Sequence, residues 1–272
     1  MNPLSCRLLQ GLAWFALMAG GAMAGEYSPP GLYDVDHSVL DNGLRVILKP
    51  RHGAHTVAFR VVVGVGQHDY ECGWQETPHF LEHLLFTGTS RHSEAELDEL
   101  VEQNGGSWNA YTYAEETVYE LDIYDRYSLS GLQVLHEIMT DSLLSHADVE
   151  TSRGIVEREA GGRPSAIQQW MRCKGIGWSA TDKALRQIFP GSNYICDELE
   201  GSAHISREHM REAFDTYYVP GNMALVVVGD FDVEAMRAAI RETFGTMPSG
   251  PVPDRKWRVP PPPQGYAAME ST

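Results

Sequence analysis

The run Met223-Ala-Leu-Val-Val-Val228 constrains the fold more than any other segment of the chain. Six consecutive apolar residues do not alternate between core and water as a half-exposed strand does. Pro220, Gly221 and Asn222 bound the run before it, and Gly229 and Asp230 after it, so it predicts a short buried strand. A strand this late must find its neighbours far back in the chain. Residues Asp36 to Val65 supply candidates, because apolar and polar residues alternate there around Asp41-Asn42-Gly43, a strong hairpin signal. The pattern predicts two paired strands and a third near Val57 to Val63. Period-two alternation rich in Thr, Tyr, Val and Ile returns from Trp108 to Tyr124 and predicts a further strand or hairpin.

Helical signals fill the intervals. Thr77 as N-cap and Pro78 at the first helical position open a short helix that Gly88 closes. Ser93 and Glu96 form a capping box for a helix to about Gln103, ended by Gly105-Gly106. Helical stretches follow at about 127–145 and 148–175, and Asp232 caps a last helix to about Phe244. Strands first, helices in the middle and a late strand rejoining them predict an α+β domain over residues 35–247. Its mainly antiparallel sheet is packed with helices, which argues against a doubly wound arrangement.

The ends read differently. Within the first 24 residues, Arg7 precedes a largely apolar stretch from Leu8 to Ala19 and then Ala22-Met23-Ala24, the pattern of a secretory signal cut before Gly25. That stretch is short for a bilayer span of roughly 20 residues, and no later segment is long and apolar enough to make one. The expectation is a periplasmic or secreted protein with no membrane contact after cleavage. Residues 25–34 form a lead segment, and the Pro-rich stretch from 248 to 272 reads as a linker at a domain boundary. Cys72, Cys173 and Cys196 remain after the signal. They allow one internal disulfide, for which Cys173 with Cys196 is a candidate, and their spacing matches no zinc-thiolate pattern.

The 37 acidic and 21 basic residues give a net charge of -16, which repels phosphate backbones and argues against nucleic acid as a partner. Gly64-Val65-Gly66 lacks the third glycine and the lysine of a phosphate-binding loop and reads as a turn. The chemistry lies instead in His79-Phe80-Leu81-Glu82-His83 on the first helix. At 3.6 residues per turn, His79 and His83 stand one above the other and Glu82 flanks them, while Phe80, Leu81, Leu84 and Leu85 fall on the remaining faces. Two imidazoles on one face, with a carboxylate beside them, suit a zinc ion with ligand distances of about 2.0–2.1 Å and an open position for water. The spacing is the inverted form of the commoner H-E-x-x-H motif. A third protein ligand must come from elsewhere.

The stretch Glu76-Thr-Pro-His-Phe-Leu-Glu-His-Leu-Leu-Phe-Thr-Gly-Thr89 resembles the zinc motif of the pitrilysin/insulinase family of metallopeptidases, which includes the mitochondrial processing peptidases. The resemblance covers roughly residues 35 to 250. It implies a single metallopeptidase half-domain, the N-terminal catalytic half, binding one zinc per chain through His79, His83 and a glutamate on a downstream helix. Glu159, 76 residues after His83 in Ser152-Arg153-Gly-Ile-Val-Glu157-Arg158-Glu159, fits that third position. Glu157 is the rival, but two residues along a helix turn a side chain by about 200°. The family often carries a second glutamate where this chain has Ser152.

Ser107-Trp108-Asn109-Ala110-Tyr111-Thr112, with Thr117 and Tyr119, is similar to the family's edge strand, against which a substrate peptide lies by strand addition. A merely structural edge hairpin is the other reading of the same residues. The resemblance further implies a zinc endopeptidase with Glu82 as general base and Asn109 and Ala110 at the peptide. It also implies a second homologous half, as a separate chain or a missing C-terminal part, that supplies an arginine and a tyrosine near the reacting carbonyl. A non-catalytic peptide-binding or partner subunit is the alternative.

Overall fold

The computed structural model describes residues 35–159, 165–189, 196 and 204–254. The expected secretory signal and lead segment, residues 1–34, and most of the Pro-rich stretch lie outside the described residues. Six strands form one sheet: β1 (Asp36–Val39), β2 (Arg45–Pro50), β3 (Thr56–Val63), β4 (Ser107–Thr112), β5 (Thr117–Tyr124) and β6 (Met223–Gly229). Their spatial order is β1-β2-β6-β3-β5-β4, antiparallel at every pairing except the parallel β2–β6 contact. The late strand thus lies inside the sheet, between two strands from the start of the chain.

The β1–β2 turn is made by the predicted residues. Gly43 takes φ +94°, a region open to glycine, and the Asn42 side chain donates to the carbonyls of Phe244 and Met247. One turn therefore closes a hairpin and ties the end of the domain to its beginning.

One face of the sheet is the core. Val57, Phe59, Val61 and Val63 of β3, Tyr119, Leu121 and Ile123 of β5, and Met223, Leu225 and Val227 of β6 are all buried there. The opposite face overturns the expectation that β6 is buried throughout. Its residues alternate, Val228 is 37% exposed, and on the neighbouring strands Arg60 bridges Glu120 at 2.9 Å and Asp122 at 2.8 Å. Val226 and Val228 on that face satisfy strand propensity without requiring complete burial.

The helices are α1 (Thr77–Leu85), α2 (Glu94–Glu102), α3 (Ser128–Asp141), α4 (His146–Glu159), α5 (Ala166–Cys173), α6 (Ala180–Ile188), α7 (Arg207–Tyr217) and α8 (Val233–Glu242). Three boundaries differ from the sequence reading, and the first is that α3 ends at Asp141 instead of near 145. Glu76, not Thr77, is the N-cap residue of α1, and the buried Thr77 hydroxyl has no hydrogen-bond partner. The stretch expected as one helix from 148 to 175 holds two, because Ser165 begins a new helix by accepting a hydrogen bond from the Gln168 amide. Asp232 caps α8 as expected, accepting from the Ala235 amide at 2.8 Å.

The candidate Cys173–Cys196 pair does not form. Cys196 is joined to Cys72, with Cα atoms 5.4 Å apart, and Cys173 is exposed outside the bond. Pairing follows the distance between Cα atoms in the fold, which separation along the chain does not determine. The bond joins the segment just ahead of α1 to a point 124 residues later. Constraining so long a loop in the unfolded chain contributes about 2–4 kcal/mol.

His136 on α3 meets Phe244 edge-on at 5.3 Å, and its Nε2 atom is buried without a partner. Burial, aided by nearby Arg91, depresses its pKa below the ordinary imidazole value, against opposing pulls from Asp141 and Glu137. The unfolded chain therefore takes up this proton first as pH falls, and the folded state loses stability progressively below about pH 6.5. His136→Phe should remove that penalty: its melting temperature relative to wild type should rise between pH 7 and pH 5. An unchanged difference at the two pH values would exclude His136 as a source of acid sensitivity.

Candidate metal centre

α1 is held by its apolar residues. Phe80, Leu81, Leu84 and Leu85 are buried in the core, and each contributes about 1.5–3 kcal/mol relative to exposure. With that side fixed, His79, Glu82 and His83 point away from the core, and the two imidazoles remain 25% and 23% exposed.

α4 packs across α1 through a stripe of its own. Val149, Ser152 and Val156 are buried at spacings of three and four residues, and Glu159 continues the stripe to the end of the helix. Ser152 is 1% exposed and gives α4 a small side chain at this position. Arg153 anchors the same helix, with its guanidinium over the Phe80 ring and a hydrogen bond to the Ile205 carbonyl at 2.7 Å.

Three donor atoms meet. His79 Nε2 lies 3.2 Å from His83 Nε2, and Glu159 Oε2 lies 3.3 Å from each. Donors about 2.05 Å from a shared tetrahedral ion would stand about 3.3 Å apart. Two neutral imidazoles and a carboxylate therefore fit one zinc ion in both chemistry and spacing, with a fourth position left for another ligand. Glu157 is not part of this cluster. A second group, His55, Asp125 and Asp230, also lies close enough for a metal, but its histidine is 80% exposed.

Around the three donors lie two contacts that the sequence reading did not single out. Glu76 Oε2 stands 2.8 Å from His79 Nδ1, and the carboxylate raises the pKa of that imidazole by hydrogen bonding to it. The signal available in the sequence was the spacing of three between Glu76 and His79 at a helix start. Thr112 Oγ1 donates to Glu82 Oε2 at 2.6 Å. Burial raises the pKa of Glu82, while the Thr112 hydrogen bond and the two imidazoles act in the opposite direction. Thr117 gives its own proton to the Val65 carbonyl at 2.9 Å, so the Thr112 hydroxyl is left to serve Glu82. The sequence could not link Glu82 to Thr112, because the contact joins a helix to a strand 30 residues later.

Thr112 ends β4, which lies at the edge of the sheet. On that strand Asn109 is exposed, with its side chain donating to the Tyr111 hydroxyl, and Ala110 is buried opposite Tyr119.

Comparison with known proteins gives a consistent relationship. The family model described as Insulinase (Peptidase family M16) matches residues 45–170, and the one described as Peptidase M16 inactive domain matches residues 204–270. A probable mitochondrial-processing peptidase subunit beta of Arabidopsis thaliana is 26% identical over 218 residues, covering 79% of this chain and 39% of its own length. An uncharacterized zinc protease of Mycobacterium leprae is 28% identical over 219 residues, covering 78% and 46%. The chain thus spans less than half the length of these curated relatives. Among solved structures, the first half of the periplasmic protease PqqL from Escherichia coli is similar with a TM-score of 0.68 at 22% identity, covering 84% of this chain and 50% of that one. A protease from Helicobacter pylori gives 0.68 at 20% identity, covering 84% and 54%. At these identities the structural likenesses establish the shared fold.

The centre makes a direct prediction. Elemental analysis of the purified protein should find one zinc per chain, lost in His79→Ala, His83→Ala and Glu159→Gln and kept in Glu157→Gln. Full zinc content in the Glu159 variant would remove that residue from the ligand set.

Proposed function

The chain belongs to the insulinase family of peptidases, and on that premise we propose that it is the catalytic half of a zinc-dependent endopeptidase acting on peptides or small proteins. The observation that carries this reading is the meeting of His79, His83 and Glu159 at one point with the Glu82 carboxylate beside them. An ion bound by those three residues supplies Lewis acidity, polarising an amide carbonyl and lowering the pKa of water to about 7.

The chain's own groups do the remaining work. Glu82 takes a proton from the attacking water and passes it to the departing amine. Burial raises its pKa, which makes it a stronger proton acceptor than an exposed carboxylate. Thr112 fixes one oxygen of that carboxylate and so sets the direction of the other. A peptide added along the outer edge of β4 would bond to main chain near Asn109 and Ala110, within three residues of the threonine that orients the base. Specificity and attack would then share one strand.

A second homologous half, in the same protein or in another chain, completes the site in this proposal. The length of the relatives supports it, as does the need to stabilise the charge that develops on the scissile carbonyl oxygen, usually the largest single catalytic contribution. We place the protein outside the cytoplasm, on the strength of the apolar stretch ending in Ala22-Met23-Ala24 and of the Cys72–Cys196 disulfide, a bond favoured in oxidising compartments.

Two experiments test these statements. With the second half present, Glu82→Gln should keep its zinc and lose peptide hydrolysis by about 10²–10⁴-fold. Unchanged turnover would reject Glu82 as base and favour a peptide-binding subunit, while hydrolysis by the isolated wild-type chain at about 1–10³ s⁻¹ would reject the need for a second half. For export, intact mass of the extracytoplasmic protein should lack residues 1–24. A full-length product confined to the cytoplasm would refute the localisation.

A further inference from the structure

Glu76 occupies the N-cap position of α1, where a side chain ordinarily accepts hydrogen bonds from the amides of the first helical turn. It makes none of them. Its backbone is already helical, and the carboxylate reaches forward along the helix to His79, placing Oε2 at 2.8 Å from Nδ1. An ionised carboxylate can only accept, so the shared proton belongs to Nδ1 of the imidazole. In the neutral ring this leaves the lone pair on Nε2, the atom that faces His83 and Glu159.

The contact has the features of an orienting bond. The Glu76 side chain is 17% exposed, so solvent screens the interaction less than it would a surface pair. It fixes the tautomer of the ring, and together with the Cα attachment it fixes the ring plane. Among the described residues, no carboxylate serves His83 Nδ1 in the same way. The α4 side of the centre offers Ser152, a buried residue with no charge to contribute. One imidazole of the pair is therefore braced by an acid, and that acid lies just ahead of its own helix.

We propose that Glu76 is the positioning residue of the metal centre, setting the tautomer and direction of His79 and thereby the affinity of the site for zinc. The proposal rests on His79, His83 and Glu159 being zinc ligands, as argued above. A purely structural role for Glu76 is the competing account, since a negative charge at a helix N-terminus also steadies the helix. That role would alter the melting of the metal-free protein and leave zinc affinity unchanged.

The experiment is a chelator-competition titration of zinc into the full chain, for wild type, Glu76→Gln and Glu76→Asp, beside melting curves of the metal-free forms. Glu76→Gln should weaken zinc binding by about 10–100-fold while the metal-free melting curve stays close to wild type. Glu76→Asp, which keeps the charge, should recover part of the loss. Cobalt in place of zinc gives a second readout, with the visible absorption band altered in Glu76→Gln because the ligand field at His79 has changed. Wild-type affinity in Glu76→Gln would overturn the proposal, as would equal losses in both variants that track a fall in metal-free melting temperature. If wild type itself bound no zinc, the assignment of the three ligands would fail together with this inference, whereas tight wild-type binding with an indifferent Glu76→Gln would sink this inference alone.

Discussion

The centre depends on how α1 is seated. Four apolar side chains, Phe80, Leu81, Leu84 and Leu85, hold one side of a nine-residue helix against the sheet, and the opposite side is thereby committed to His79, Glu82 and His83. A helix this short is marginal on its own, so tertiary burial must supply most of its stability. That burial also removes the rotational freedom that would otherwise blur the direction of the imidazoles. The same logic governs α4, where Val149 and Val156 fix the helix and Glu159 inherits its direction from them. Two independently anchored helices thus bring three donors to within 3.3 Å of one another. The arrangement is preorganised in the sense that apolar packing, and not the polar groups themselves, determines where those groups stand.

How much of this was legible in the sequence depends on the range of each interaction. The hairpin at Asp41-Asn42-Gly43, the helix that Asp232 caps and the face shared by His79 and His83 follow from local rules, and the structure contains them. Two features lie beyond the reach of local rules. The apolar run of β6 suggested burial on both faces, yet only the packed neighbours could show that helices cover one side. The cysteine spacings leave the partner of Cys196 open, and it is Cys72, 124 residues away. Thr112 is legible as part of a strand but not as a partner of Glu82, because no spacing rule connects a helix to a strand edge. Glu159 came from resemblance, since a ligand on a distant helix leaves no periodic trace relative to the first two.

The polar contacts around the centre divide into two lines with different origins. Glu76 reaches His79 from the N-cap of α1, so that contact spans three residues at one helix end. Thr112 reaches Glu82 from β4, so the direction of this carboxylate depends on the sheet being complete out to its edge strand. A disturbance of β4 should therefore reach the Glu82 carboxylate before it reaches His79, His83 and Glu159. In the proposed function, strand binding and proton transfer at Glu82 would be coupled through this contact, while the ion would be held by the helices.

The Cys72–Cys196 bond adds a constraint on the same region from a third direction. Cys72 lies five residues before Thr77, so the bond fixes the approach of the chain to α1, where Glu76 sits. The apolar anchors determine how α1 lies on the sheet but do little for the residues ahead of its first turn, whose side chains are partly exposed. A crosslink placed there limits the freedom of that approach segment in a way that packing does not. It follows that the donors and the groups that orient them are stabilised by different means: the buried apolar anchors of α1 and α4 for His79, His83 and Glu159, a strand edge for Glu82, and a covalent tether close to Glu76.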